Sequence, residues 1–223
     1  MEVIRDRILN NLTHTTEPKR LLISHMDLLK LNAEYWDSRW QQQDTGWDIG
    51  YAAPAIVQFM DTLEDKTQKI LIPGCGNGYE AEYLHQKGFT NVFIADFSQT
   101  ALDSFGQRVH GFPKEHLLCA DFFTLDNGPY DLIIEQTFFC AINPDLRDQY
   151  VKKMHELLKP EGRLAGLLFN DELNKDHPPF GGDKEEYVKR FTSHFDILTM
   201  EKCSNSIPPR AERELWFELK KKI

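Results

Sequence analysis

Three glycines and one aspartate carry the first chemistry in this chain. Gly74, Gly76 and Gly78 stand two apart in "IPGCGNG", and Asp96 closes the apolar run "VFIAD". A glycine-rich turn lets a ligand approach the main chain, and an acid at the end of the next strand accepts from sugar hydroxyls. Together they point to a ligand of nucleoside type. Positioning them takes a strand, a tight turn, a helix and a second, parallel strand. The residues comply: Ile70 to Pro73 is apolar without helical period, Tyr79, Tyr83 and Leu84 recur at helical spacing before Gly88, and Val92 opens the second strand.

The spacing also bears on which nucleoside. A dinucleotide site wants Gly-x-Gly-x-x-Gly, so that a pyrophosphate can sit on the helix N-terminus. Here the third glycine comes one residue early, Tyr79 follows it, and Glu80 sets a negative charge in the first helical turn. An adenosine joined to a zwitterionic amino-acid tail meets no such objection. S-adenosylmethionine (SAM) is the expected cofactor, with NAD(P) or a non-catalytic nucleoside site as alternatives.

The chain's 223 residues suit one α/β domain, with 41% hydrophobic and 27% charged residues as in globular proteins. A net charge of −9, with Lys220-Lys221-Lys222 the one basic cluster, argues against nucleic acid and anionic membranes; that tail reads as a solvated end. No apolar run has the length of a membrane helix, and Glu2, Arg5, Asp6 and Arg7 interrupt any signal-like core. Cys75, Cys119, Cys140 and Cys203 are scattered, and read as buried thiols of a reducing cytoplasm with no metal site. Residues 1–31, with Ile4, Ile8, Leu9 and Leu12 and then Leu21, Leu22, Met26 and Leu29 at helical spacing, read as an N-terminal helical extension.

Three of the four tryptophans, Trp36, Trp40 and Trp47, fall within one polar segment beside Tyr35. Trp36 and Trp40 share a helix face. Tryptophan is the best ring for a cation, and the sulfonium of SAM is one, so these rings are either a lid over the cofactor or a staple to the core. Ser98 is the expected cap of the next helix. "HLLCADFFTL" predicts a third strand ending at Asp121, whose acid and following aromatics, Phe122 and Phe123, suit an adenine.

"YDLIIEQTFFCA" predicts a fourth strand with Gln136 at its tip, across the switch point from the cofactor. The Asn/Asp-Pro-Pro-aromatic stretch common in enzymes that methylate nitrogen is absent there; Gln136, Thr137, Phe138, Phe139 and Cys140 stand instead, with no evident general base. Such a pocket suits an anionic, soft nucleophile. Asp145 is read as the cap of a helix running to Leu158 and ended by Pro160 and Gly162, before a fifth strand in "RLAGLLFN". "DELNKDHPPFGGD" reads as a functional lid containing a solvated His177. A helix near 184–194, strands at 195–201 and near 213–220, and the ligand-facing "SNSIPPRAERE" between them complete the chain.

These motifs, taken together, resemble the thiopurine S-methyltransferase family of class I SAM-dependent methyltransferases, and within it the plant thiol/halide branch. The resemblance covers residue 32 onward and rests on the tryptophan spacing, "IPGCGNGYEA", "IADFSQTAL", "ADFF", "YDLIIEQTFFCAINPDLR", "ELLKPEGRL", "HPPF" and "SIPPR". It implies a Rossmann-like α/β fold, with a seven-stranded, mostly parallel sheet and helices on both faces, occupying 32–223. It implies cofactor contacts from Trp36, Trp40, Trp47, Gly74, Gly76, Asp96, Asp121, Phe122 and Gln136, and substrate contacts from Phe138, Phe139, Phe180 and Arg210. Gln136 departs from the family, which has tyrosine in the halide/thiol branch and arginine in the thiopurine enzyme. The expected reaction is in-line methyl transfer to a small soft nucleophile (thiol, thiopurine-like, bisulfide, thiocyanate or halide) by a cytoplasmic monomer, with no dedicated catalytic residue. Arg147 or Arg210 is a candidate for steering an anionic acceptor. Oxygen- or nitrogen-directed methyl transfer is the other enzymatic reading.

Overall fold

The structure, a computed structural model, describes residues 31–223. The helices expected before residue 31 lie outside the described residues. In chain order the elements are α1 (Ala33–Gln41), α2 (Pro54–Met60), β1 (Ile70–Pro73), α3 (Tyr79–Gln86), β2 (Val92–Asp96), α4 (Gln99–Arg108), β3 (Leu117–Cys119), β4 (Tyr130–Gln136), α5 (Arg147–Leu157), β5 (Leu158–Phe169), α6 (Lys184–Phe191), β6 (Phe195–Lys202) and β7 (Glu214–Lys221).

The seven strands form one sheet in the order β3-β2-β1-β4-β5-β7-β6. β1 pairs in parallel with both β2 and β4, and β7 runs antiparallel between β5 and β6. The chain reverses its direction of winding between β1 and β4. At such a point the adjoining connections leave on opposite faces and a crevice opens over the strand tips.

β1 is buried along its whole length because helices cover both faces of the sheet. Its residues still divide by the period of two. Ile70 and Ile72 join Ile56, Leu84, Phe105 and Ile134 on one face, whereas Leu71 joins Ile133, Tyr150, Phe191 and Phe217 on the other. Core packing on both faces thus fixes the register at the strand tips, and with it the site.

Several expected boundaries move. β3 stops at Cys119, and Asp121 instead caps a single 3-10 turn, Phe122–Thr124, by accepting from Phe123 N at 2.8 Å. β3 is an edge strand paired only to β2, so little holds it beyond three residues. Asp145 does not cap α5 but lies in a 3-10 turn, Pro144–Leu146, that leads into it; Asn143 caps that turn by accepting from Asp145 N at 3.0 Å, the first donor available because Pro144 has no N–H. Pro160 and Gly162 do not end the helix but lie within β5, which begins directly at Leu158. There the pairing with β4 shifts register after Tyr130, and Glu161 takes a left-handed φ of 66°.

The terminal lysines are also no loose end. Lys220 and Lys221 belong to β7; Lys220 pairs with Glu161, Lys221 donates to Leu158 O at 2.6 Å, and Lys222 donates to Thr192 O at 2.6 Å. Among the thiols, Cys140 and Cys203 are buried as expected, but Cys75 is half-buried and Cys119 exposed; all four are free.

Candidate active site

Two glycines form the cradle at the tip of β1. Gly74 and Gly76 have φ of 57° and 51°, a region costly for any residue with a Cβ. A Cβ on Gly74 would stand 2.3 Å from Phe138 Cδ2, and one on Gly76 would stand 2.9 Å from Trp40 Cζ2. The aromatic rings singled out in the sequence therefore rest directly on the glycine loop.

Asp96 closes β2 and holds this loop. Its Oδ2 accepts from Gly76 N and its Oδ1 from Ser98 N, both at 2.9 Å. Enclosure raises its pKa, and the N–H groups of Ser98, Gly76 and Phe97 oppose that shift. Glu80 proves to be a tie rather than a charge set before the loop. It is buried and accepts from Ala53 N at 3.0 Å, which joins α3 to the start of α2, and burial raises its pKa.

The three tryptophans do meet. Trp47 makes edge-to-face contacts with Trp36 at 5.5 Å and Trp40 at 5.9 Å, with the Arg39 guanidinium 5.1 Å from the Trp47 ring. The segment is fastened at both ends. Asp37 Oδ1 accepts from Ser98 Oγ at 2.6 Å and Thr100 N at 3.0 Å, which also lowers its pKa. Asp48 accepts from Asn77 Nδ2 at 2.5 Å and Gly50 N at 2.8 Å. The segment is thus a staple, tied to the start of α4 and to the glycine loop. Replacing Asp37 by Ala should release α1 from α4 with little change to the sheet. We expect about a tenfold loss of affinity for S-adenosylhomocysteine, roughly 1.4 kcal/mol, with the melting temperature lowered by only a few degrees. Calorimetric titration and a thermal melt check both.

Beyond β2, Phe122 is buried with its ring 5.1 Å from that of Phe138, so the aromatic expected at the adenine and the turn after β4 meet. Asp121 stands one residue before, its carboxylate engaged with Phe123 N.

The turn after β4 is set by a residue that sequence reading passed over. Glu135 is fully buried; its Oε1 accepts from Phe138 N at 2.8 Å and Phe139 N at 2.9 Å, and its Oε2 from Tyr150 Oη at 2.5 Å. Burial pushes its pKa up to about 7 against these donors. Within an apolar run ending in Glu-Gln, only the turn it caps could have marked it. Gln136 follows. Its Oε1 is buried with no hydrogen-bond partner, in a cavity lined by Ile49, Leu167, Ser206, Ile207 and Arg210 among others. The segment between β6 and β7 therefore does face the strand tips.

The four substrate candidates divide. Phe138 lies on Gly74, and Arg210 shares the Gln136 cavity, donating to Trp47 O at 2.9 Å and standing 3.6 Å from Glu214. Phe139 is core: it packs on Tyr150, Tyr187 and Phe191. Phe180 is buried too, its N–H donating to Cys140 O at 2.7 Å. Arg147 is no steering group at the cavity, because it is buried between Glu186 (2.9 Å) and Gly181 O (2.8 Å). With Asp171 bridged to Gly182 and Asn174 to Phe180, the expected lid is pinned at several points.

A doubly wound sheet with one reversed strand, a glycine cradle after β1, an acid closing β2 and an aromatic cover define a class I methyltransferase architecture. Solved structures agree on the fold. The Burkholderia thailandensis 1,6-didemethyltoxoflavin-N1-methyltransferase superposes with a TM-score of 0.68 at 16% identity, over 95% of this chain and 93% of that one. Magnesium protoporphyrin IX methyltransferase from Synechocystis PCC 6803 does so with 0.67 at 15% identity, over 88% and 97%.

The profile of the thiopurine S-methyltransferase (TPMT) family matches residues 31–222, and the chain belongs to that family. It is a SAM-dependent methyltransferase, which sets aside the oxidoreductase alternative. Thiocyanate methyltransferase 1 of Arabidopsis thaliana is 31% identical over 184 residues, 80% of this chain and 81% of the relative. Probable thiol methyltransferase 2 of the same plant is 32% identical over 158 residues, covering 69% and 70%. A thiopurine S-methyltransferase of Photobacterium profundum is 25% identical over 199 residues, covering 81% and 92%. Among the described residues no helix is long and apolar enough to cross a membrane.

The residues present fit the cofactor. They are the types such a ligand calls for: glycines at left-handed dihedrals after β1, an acid closing β2, and a tryptophan cluster resting on the same loop.

Proposed function

We propose that this enzyme methylates a small soft nucleophile, a thiol above all, in a single chain within a reducing, cytoplasmic compartment. The observation that carries the acceptor reading is the Gln136 amide oxygen, buried and unpartnered at the tip of β4 in a narrow crevice of mixed lining that must part to admit an acceptor. A buried acceptor without a partner is costly unless a ligand fills it. The match to plant thiocyanate and thiol methyltransferases supports the same class of acceptor.

The proposed roles are these. Gly74 and Gly76 present main chain to the amino-acid part of the cofactor, Asp96 takes the ribose, and Asp121 and Phe122 take the adenine. Trp36, Trp40 and Trp47 cover the sulfonium side. Gln136 lies between cofactor and acceptor, Phe138 and Arg210 border the acceptor, and Phe139 and Phe180 support them from the core. Bound SAM supplies a methyl group already activated by its sulfonium. The chain's share is to align acceptor and methyl in line and to exclude water.

Purified enzyme with SAM and a panel of bisulfide, a neutral alkyl thiol, an aromatic thiol, thiocyanate and iodide tests this by mass spectrometry of the products. We expect methylation of at least one thiol. No product from any member, while S-adenosylhomocysteine still raises the melting temperature, would overturn the acceptor class and leave the cofactor roles standing.

A further inference from the structure

One buried charge at the strand tips has no part in the scheme above. Glu214, the first residue of β7, is only 3% exposed. It lines two adjoining crevices, the larger with about 10 Å³ of free space, so an acceptor enters only as their lining parts. One holds Gln136, Ser206 and Arg210; the other holds Glu135, Cys140 and Tyr187. Burying a carboxylate costs several kcal/mol unless charge and hydrogen bonds offset it. Here the offset is thin. Among the described residues the Glu214 carboxylate has only a loose contact from the Ser206 hydroxyl and a long ion pair with Arg210, at 3.6 Å, while another nitrogen of that guanidinium donates to Trp47 O at 2.9 Å. The Gln136 amide oxygen in the same crevice is buried without a partner, and the Ser206 hydroxyl forms no better bond than this loose one.

Three polar groups therefore converge with unused capacity, and two of them, a carboxylate and a carbonyl oxygen, can only accept. A halide or thiocyanate would meet electron-rich oxygens there. A neutral molecule carrying a proton on its nucleophilic atom would satisfy them.

We propose that Glu214 is the proton acceptor for a protic thiol in this cavity, an inference that rests on the soft-nucleophile reading above. As the acceptor sulfur forms its bond to the methyl carbon, the electrons of its S–H bond stay on sulfur and the proton passes to a Glu214 oxygen. The bond from methyl to sulfonium breaks, and its electron pair leaves with the departing thioether. Glu214 then gives its proton to water. Burial, opposed by the nearby Ser206 hydroxyl and Arg210, raises the Glu214 pKa and so narrows its gap to a thiol, as general-base catalysis requires. The other ionisable groups facing it are Arg210 on the preceding turn, Glu135 at the end of β4, Cys140 after it and Tyr187 on α6. Cys203, just after β6, adds an N–H donor to the Glu214 main-chain carbonyl at 2.9 Å.

The test compares a neutral alkyl thiol with thiocyanate, which has no proton to lose. In Glu214→Gln we expect kcat/KM for the thiol at pH 6.5 to fall about 100-fold relative to that for thiocyanate. The gap should close as pH approaches the thiol's own pKa, where the acceptor arrives ionised. Without turnover, thiocyanate added to the variant saturated with S-adenosylhomocysteine should raise its melting temperature more than in the wild type, since a repelling charge is gone. The wild type gives a reading that needs no variant: its thiol profile should show an acidic limb that levels off well below the thiol's own pKa, and the thiocyanate profile should show none. Equal losses for both acceptors at every pH, or matching wild-type profiles, would overturn the proposal. Failure of every thiol and anion with cofactor still bound would instead strike the acceptor reading on which it rests.

Discussion

Glu135→Ala should cost about 3–5 kcal/mol of stability, because it strands three buried donors at once. Phe138 N, Phe139 N and Tyr150 Oη all end on this one carboxylate in the wild type. At this chain length that loss lowers the melting temperature by about 10 °C. The turn carrying Phe138 would lose its anchor, so affinity for S-adenosylhomocysteine should fall at least tenfold as well. Glu135→Gln separates charge from hydrogen bonding, since the amide keeps an oxygen for both N–H groups and a donor for Tyr150. Its signature is in the pH dependence. With its pKa raised to about 7 by burial, Glu135 stays protonated in the folded chain where the unfolded chain has released the proton. The stabilisation is fully present below the unfolded value, about 4.5, and is lost as pH rises through about 7. Thermal melts from pH 4.5 to 8 should show this decline in the wild type and a flatter profile in Glu135→Gln. Identical slopes would remove Glu135 as its source.

Gly74→Ala is the second large effect, and it acts mainly on binding. At φ 57° an alanine costs about 1–2 kcal/mol of backbone strain, and its methyl would collide with the Phe138 ring at 2.3 Å. Either the loop or the Phe138 turn must shift, and both border the proposed cofactor position. Calorimetric titration should show S-adenosylhomocysteine binding weakened at least 100-fold, with the melting temperature down by several degrees. The double variant Gly74→Ala/Phe138→Ala separates the causes. Removing the ring relieves the collision but leaves the dihedral strain, so the double variant should melt higher than additivity of the two single changes predicts. Strict additivity would mean that Phe138 is not what Gly74 makes room for.

How much of this was legible in the chain follows from where each signal resides. The unit from β1 to β2 could be read in full, because continuous apolar runs, glycines at required dihedrals and a terminal acid are local properties written in consecutive residues. The tryptophans could be read as a group for the same reason. Their seating on Gly76 could not, since Asp37 and Asp48 reach residues far along the chain to secure it. Phe139 and Phe180 resemble Phe138 in type and neighbourhood, yet packing against α5 and α6 carries Phe139 into the core, Phe180 is buried beside Cys140, and Phe138 is left on the glycine loop. The three acids at the heart of the argument show the division best. Asp96 announces itself by ending a strand after a glycine turn. Glu135 and Glu214 do not, because a carboxylate's role depends on what surrounds it in space: three donors for Glu135, and almost none for Glu214. The sequence alone determined the fold class, the cofactor and the strand tips where chemistry would occur. Which charges are buried there, and which are left without partners, was decided only when distant strands closed over them, because desolvation is a property of the assembled interior.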